Sequence, residues 1–410
     1  MGSARNTTVL VGFTAVTNLA DGVTKVALPI MATALTTSPL QISGVSMTLT
    51  LPWLLAALHV GVLVDRFDRR VLLWVADAVR VAVVLGLLAA GVTGAVSLPM
   101  LYAGGLALGL AEVLALTAAS ALIPSAVAPP DRERANAWVT GAETVCNEFC
   151  GPFVGGLLVA AGSAIALGAS AGAYVVGAVL LVWLVGRFRV ERATDVPAAS
   201  VHMQIREGLA FLWNQRLLRL FALTLTVLCA CWGAWLAIMP LYATTVMGLD
   251  ATGYGTLLSA LGVGGAVGAL TVRRLNRIFG RRAVLFADIV GTFAMVALPA
   301  VTTNLAAVAV GAFLGGMGGT LWSVTARTIS QQIVDESLMG RYSGAARLFS
   351  WGAFPVGAGA VGVLAELFGM SVAFGVFAVV TAALVVPFLR VVTPAELAAA
   401  DVPETMHLRA

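Results

Sequence analysis

Nine ionisable side chains interrupt runs of sequence that are otherwise apolar: Asp21, Lys25, Asp77, Arg80, Glu112, Glu143, Glu148, Asp288 and Arg347. A charge withdrawn from water is costly enough to mark a pair or a pathway, and an unpartnered buried carboxylate takes up a proton near neutral pH. Proton carriage is therefore the chemistry that these residue types could perform. At about 1.5 Å per helical residue, Asp21, Glu112 and Glu148 fall near the middle of their runs, whereas Asp77, Glu143, Asp288 and Arg347 fall one or two turns from an end. The middle three are expected to be functional; Asp77 with Arg80, and Asp288, are expected to be structural pairs. Thr14, Asn18, Asp21 and Lys25 share one helical face, and the last two, four residues apart, can pair directly. Lys25 is the sole lysine among 24 basic residues. A buried ammonium gives up its proton where a guanidinium does not, so Lys25 is a counter-ion, an anchor for an anionic substrate group or part of a proton relay. Glu143 and Asn147 share a face, with Glu148 about 100° away, so these residues and Glu112 can form a small acidic cluster. In the first half of the chain Asp21, Asp77, Glu112, Glu143 and Glu148 against Lys25 and Arg80 leave a charge of minus three.

Other chemistries lack their residues. No GxxxxGK[ST] loop is present to cradle nucleotide phosphates, which excludes an ATP-driven pump. His59, His202 and His407 are scattered, and Cys146/Cys150 and Cys229/Cys231 lack zinc-site spacing. No metal, cofactor or enzymatic activity is expected. An apolar substrate pocket could be lined by Trp232, Trp235, Trp322, Trp351 and Phe354, with Asn18, Asn147 and Arg347 as polar contacts.

The elements that must hold these groups are membrane helices. Apolar residues make up 60% of the 410, the charged share is 11%, and the mean hydropathy is +0.96, whereas a soluble domain carries about 25% charge. At roughly 20 residues per crossing, the sequence supplies twelve spans, near 8–35, 41–64, 71–93, 97–124, 136–161, 163–186, 217–245, 251–272, 282–302, 304–327, 341–366 and 370–390. The first is expected to be an uncleaved helix, being too long for a signal peptide and carrying Asp21 and Lys25 at its middle.

Arginines gather after the even-numbered spans: Arg66, Arg69 and Arg70; Arg132 and Arg134; Arg187, Arg189, Arg192, Arg206, Arg216 and Arg219; Arg273, Arg274, Arg277, Arg281 and Arg282; Arg327 and Arg341; and Arg390. Basic loops stay in the cytoplasm, which puts both termini there and explains the net charge of +4 without nucleic acid. The expected organisation is a six-helix bundle at 1–186, a cytoplasmic linker at 187–216, a second bundle at 217–392 and a tail at 393–410. Within the linker Ile205, Leu209 and Leu212 recur at helical spacing beside Gln204, Arg206 and Glu207, flanked by Phe211 and Trp213, as in a helix lying on the leaflet surface. The halves read as repeats: Arg69-Arg70-Val-Leu-Leu-Trp-Val-Ala-Asp77 opens the third span and Arg281-Arg282-Ala-Val-Leu-Phe-Ala-Asp288 the ninth, while Pro152 and Pro355 sit in glycine-rich stretches of the fifth and eleventh. Parallel repeats of this kind place a ligand site near the midplane.

Gly61-Val-Leu-Val-Asp65-Arg66-Phe-Asp68-Arg69-Arg70 resembles the G-x-x-x-D-R-x-G-R-R signature of the major facilitator superfamily, with a degenerate copy at Arg277-Ile-Phe-Gly280-Arg281-Arg282. Gly151-Pro152-Phe-Val-Gly155-Gly156 is similar to the antiporter motif of drug:proton exporters. Arg134-Ala-Asn-Ala and the stretch from Gln331-Gln332-Ile-Val-Asp335-Glu336 to Gly340-Arg341 resemble the branch of macrolide and enterobactin exporters. The sequence departs from the family at Asp68, where glycine is usual, and by lacking the fourth-span arginine of many drug exporters; Glu112 is the one charge there. The resemblance implies an all-α twelve-helix fold and a monomeric proton-coupled antiporter of the cell membrane that exports a hydrophobic small molecule or drug, cationic ones included. An importer of a small polar nutrient, or a lipid-handling or sensor protein with a transporter-like body, is the alternative. Physically, Asp65 could latch to a facing helix N-terminus such as that at Arg341, Arg66 and Arg69 could pair with acids across the loop, Arg70 could serve only as a topology mark, and Gly61 would admit a close neighbour. Glycines 151, 155 and 156 would allow close helix contact beside a bend at Pro152.

Overall fold

A computed structural model describes residues 2–186, 201–334, 336–394 and 396–397. Arg187, Arg189, Arg192, Asp335 and the tail beyond residue 397 lie outside the described residues, as do the side chains of Asp65, Gln204 and Ile205. The described elements are helices: α1 (Gly2–Thr33), α2 (Pro39–Leu55), α3 (Ala57–Arg66), α4 (Arg69–Val92), α5 (Leu98–Ala126), α6 (Arg132–Glu143), α7 (Gly151–Ala161), α8 (Ser163–Leu180), α9 (Val201–Asn214), α10 (Arg216–Thr245), α11 (Ala251–Val301), α12 (Leu305–Ile333), α13 (Glu336–Ser350), α14 (Ala353–Phe368), α15 (Met370–Ala383) and α16 (Val385–Val391). In lipid no water satisfies an open backbone, so a chain this apolar has to close its hydrogen bonds within helices.

Nine helical stretches among the described residues are long and apolar enough to cross a bilayer. One of them holds two spans, because α11 breaks at Gly280, whose φ of 79° and ψ of 157° suit glycine alone. With α1 and the α2–α3 pair the spans number twelve. Polar residues set several starts: Ser38 accepts from the Gln41 N–H, Asn304 from that of Ala307, and Asp68 from those of Arg70 and Val71. Between α6 and α7, Thr144–Cys150 forms a wide π-helical turn in which the Gly151 N–H reaches the Cys146 carbonyl.

The chain divides into two compact units, one of residues 1–197 with 239–259, the other of 198–238 with 260–410. This differs from the division expected at the linker in that 239–259 groups with the first unit. In that unit α1 packs on α8, α7 and the π turn, α4 lies against α5 and α8, and α2 lies on α5. Without a hydrophobic force between helices in lipid, small residues permit these approaches. A Cβ added to Gly109 would strike the Leu49 carbonyl, and one on Gly156 would come within 3.0 Å of Leu258. Asn6 fastens the start of α1, donating to the carbonyls of Ala126 (2.8 Å) and Val185 (2.9 Å) and accepting from the Val185 N–H (3.0 Å).

In the second unit Trp322, Phe221 and Phe388 pack with Leu285, Ile289 and Ile329. The expected surface helix is present as α9, and protein covers part of its apolar side. Leu212 is buried with Leu218, Ala222, Tyr342 and Ala345; Gly208 meets the Arg341 backbone, and Glu207 pairs with Arg341 at 2.8 Å. Helix α13 offers a matching apolar surface, so α9 docks on protein.

Candidate functional site

Five ionisable side chains from three helices converge in the first unit. α1 supplies Asp21 and Lys25, α4 supplies Asp77 and Arg80, and α5 supplies Glu112. Arg80 donates to Asp21 (2.6 Å) and to Asp77 (3.0 Å), and its guanidinium lies 5.3 Å from the centre of the Tyr174 ring on α8. The Tyr174 hydroxyl donates to the other oxygen of Asp21 at 2.9 Å. Lys25 donates to Glu112 (2.7 Å) and to the Asn147 side-chain carbonyl (2.9 Å). The Asn147 amide donates in turn to Glu112 (2.7 Å) and to Asn18 (2.9 Å), and Asn18 donates to the Thr14 backbone carbonyl.

The direct Asp21–Lys25 pair expected from their spacing gives way to bonds between helices. The guanidinium of Arg80 on a neighbouring helix gives one of its donors to Asp21 and another to Asp77, whereas the Lys25 ammonium, one turn further along, points at α5 and the π turn. Arg80 and Asp77, expected to be a separate pair near one end, belong to the same network as Asp21; Arg80 stands eleven residues into α4, at about 16 Å of rise. The expected acidic cluster is a mixed one. Glu112 is joined by Lys25 and Asn147, while Glu143 is buried one turn before Asn147 and Glu148 is partly buried on the π turn. Arg80 and Asp77 are fully buried and Asp21 and Glu112 nearly so; Lys25, at 17% side-chain exposure, is the member that reaches open space.

Glycines make room for this arrangement. A Cβ on Gly22 would stand 2.7 Å from the Gly151 Cα and 2.8 Å from the Asn147 carbonyl, and one on Gly155 would stand 3.0 Å from the Val23 Cα. The Gly151-Pro152-Phe-Val-Gly155-Gly156 stretch thus seats α7 against the face of α1 that carries the network. Pro152 has no N–H to give, and the bend expected there is taken up by the π turn before it, a common device at functional sites. On α8, Gly177 leaves space for Thr17 and for an oxygen of Asp77.

At the loop between α3 and α4, Gly61 does not mediate the expected close approach: nothing lies within 4 Å of a Cβ there. Asp68, read from sequence only as a departure from the family pattern, caps α4. Arg70 reaches the Val182 carbonyl at 3.2 Å and lies over Trp74, so it does more than mark topology; Arg66 is exposed and Arg69 partly buried. The Asp65 side chain, and with it the expected latch, lies outside the described residues.

In the second unit Trp235 and Trp322 are wholly buried, Trp322 within the apolar packing around Phe221 and Phe388. Trp232 is partly buried against Gly319. Trp351 and Phe354 are partly buried, stacked at 5.7 Å where α13 passes into α14, and Arg347 is partly buried one turn earlier. Tyr174 was not among the sequence candidates; its signal is that it is the one hydroxyl-bearing aromatic in a span of alanine, glycine and valine.

A sequence profile of the Major Facilitator Superfamily matches residues 10–346 and 247–405. The multidrug efflux pump Tap of Mycolicibacterium fortuitum is 28% identical over 392 residues, covering 90% of this chain and 92% of that protein. The enterobactin exporter EntS of Salmonella paratyphi A is 29% identical over 334 residues, with 79% and 77% covered. Among solved structures, a crystal structure of the nucleoside transporter NupG superposes with a TM-score of 0.72 at 12% identity, over 95% of this chain and 100% of that one.

Proposed function

Because the chain belongs to the Major Facilitator Superfamily, and is therefore a multi-pass membrane transporter of small molecules and not an enzyme, we propose that it is a proton-coupled antiporter exporting hydrophobic, including cationic, compounds from the cell. The observation that carries this reading is the linked network around Asp21 and Glu112. Three carboxylates face two cations, so one proton bound on any of them neutralises the group, and its loss restores a single negative charge. Charge neutralisation of a buried group is a change that rearranges hydrogen bonds between helices, here between α1, α4, α5 and the π turn.

Lys25 transmits the change. Its ammonium holds Glu112 and Asn147 together while Glu112 is ionised; a proton on Glu112 weakens that pair and frees Lys25 toward the open space it borders. Asp21 and Glu112 carry the proton in this reading, Asn18 and Asn147 position the acids, and Glu143 and Glu148 flank the route. Trp232, Arg347, Trp351 and Phe354 remain the substrate contacts. Two six-helix halves, 1–186 and 217–392, alternate access around this level, with both termini in the cytoplasm as the arginine distribution requires. The efflux relatives favour export over uptake.

Everted vesicles loaded with ethidium under an imposed pH gradient test the reading. The Asp21→Asn/Glu112→Gln protein is expected to lose gradient-driven transport while still inserting in the membrane; transport that persists in this variant refutes the coupling assignment.

A further inference from the structure

The repeat carries a second buried carboxylate to which the first network assigns nothing. Asp77 stands 55 residues after Gly22, and Asp288 stands 55 residues after Gly233. The two glycines are themselves equivalent: Gly22 lets α1 meet the Gly151 backbone, and Gly233 lets α10 meet the Phe354 backbone. In this register the Asp21 position is occupied in the second unit by Trp232, and the Arg80 position by Gly291. A Cβ on Gly291 would already strike the Leu314 carbonyl, so α12 closes the space in which an arginine would lie. The second unit has kept the acid and lost its cation.

The surroundings of Asp288 are polar but uncharged. The Thr292 hydroxyl donates to it at 3.2 Å, and Gly318 of α12 packs directly on it, a Cβ there standing 2.7 Å from the Asp288 Cα. From α10 the neighbouring titratable group is the Cys231 thiol, which lies 3.1 Å from the Thr381 hydroxyl of α15. On its own helix Arg281 is engaged by Gln332 and Arg282 by the Leu389 carbonyl; α12 has only Arg327, nine residues beyond Gly318, and α10 has only Arg216 and Arg219 near its start. No ion pair among the described residues includes Asp288. The structural pair expected at this position is thus absent, because its partner position is a glycine.

We propose that Asp288 is a second proton-binding site, housed in the second unit and carrying its proton independently of the Asp21–Glu112 network. A carboxylate buried in this way has one hydroxyl donor and no ion-pair partner among the described residues, and binding a proton removes the uncompensated charge. Thr292 then serves as a positioning residue, holding one oxygen while the other carries the proton. Only the use of this proton in transport rests on the coupled reading above; its presence does not.

Infrared difference spectroscopy on the purified full-length protein in lipid vesicles, in light and heavy water, reads the proton directly. A carboxylic-acid carbonyl band is expected at neutral pH that is lost in Asp288→Asn, kept in Asp21→Asn/Glu112→Gln, and moved to higher frequency in Thr292→Val, which removes the hydroxyl donor. A spectrum unchanged in Asp288→Asn, or a band that appears only when sodium is withdrawn, overturns the proposal, the second by assigning the site to sodium. If Asp288→Asn does not fold, the Thr292→Val shift decides alone. Loss of proton-driven transport is a separate measurement, so failure of the coupling scheme and failure of this site are told apart.

Discussion

Replacing Arg80 by methionine removes the guanidinium that lies 2.6 Å from Asp21 and 3.0 Å from Asp77, both of which stay buried. At an effective dielectric constant near 20, each contact is worth about 4 kcal/mol of gross attraction, and withdrawing each ion from water costs several kcal/mol, so the intact triad is close to balanced. Removing the shared cation alone upsets that balance, leaving the two carboxylates facing each other without compensation. Losses from breaking one partner out of a buried pair run to about 3–5 kcal/mol. For a unit of about 200 residues this corresponds to a fall of about 6–20 °C in unfolding temperature, at about 2–4 °C per kcal/mol. The measurement is thermal unfolding of the purified protein at one fixed pH. Arg80→Met is expected to be the least stable of the set, Asp21→Asn milder because Arg80 keeps Asp77 and Tyr174 keeps an acceptor, and Arg80→Met/Asp21→Asn/Asp77→Asn to recover most of the loss. A drop below about 1 kcal/mol in Arg80→Met, or a triple variant no better than the single one, would refute the triad as a charge-compensated unit.

Three further expectations concern stability and selectivity. Gly22→Ala and Gly151→Ala should each cost about 1–3 kcal/mol, since the new methyl stands 2.7 or 2.6 Å from the partner's Cα, whereas Gly61→Ala should leave unfolding within about 0.5 kcal/mol. Asp68→Ala should lose about 1 kcal/mol by uncapping α4 and Asp68→Ser should retain it, as chemical or thermal melts would record. Trp322→Ala should cost about 3–5 kcal/mol in unfolding free energy without changing the order in which substrates are preferred, while Trp351→Ala should alter that order in competition transport with a smaller stability loss.

Tyr174 and Arg80 show where reading from sequence fails. Depth counted along a span places each charge by itself, and by that count Arg80 looked like the partner of Asp77 alone. Its second bond, to Asp21, joins residues 59 positions apart and depends on α4 lying against α8 beside α1. Asp68 failed differently: compared with a family pattern it was a missing glycine, whereas its local position, just before Arg70 and Val71, is that of a helix cap. Asn18 and Lys25, by contrast, were legible because a polar stripe on an apolar helix has to face protein.

What the sequence by itself determined is the architecture of spans. Sixty per cent apolar residues in runs of about 20, broken by arginine-bearing loops, have no other low-energy arrangement in a bilayer than a set of crossing helices, and the internal repeat groups them by six. It also determined which side chains are too polar to face lipid. The tertiary structure alone decided how those side chains pair. An i,i+4 spacing allows Asp21 and Lys25 to meet, but a bond across helices forms wherever glycines let backbones come close, as Gly22 and Gly151 do. The choice of Arg80 for Asp21 and of Glu112 for Lys25 follows from that close packing, which no local pattern in the sequence records.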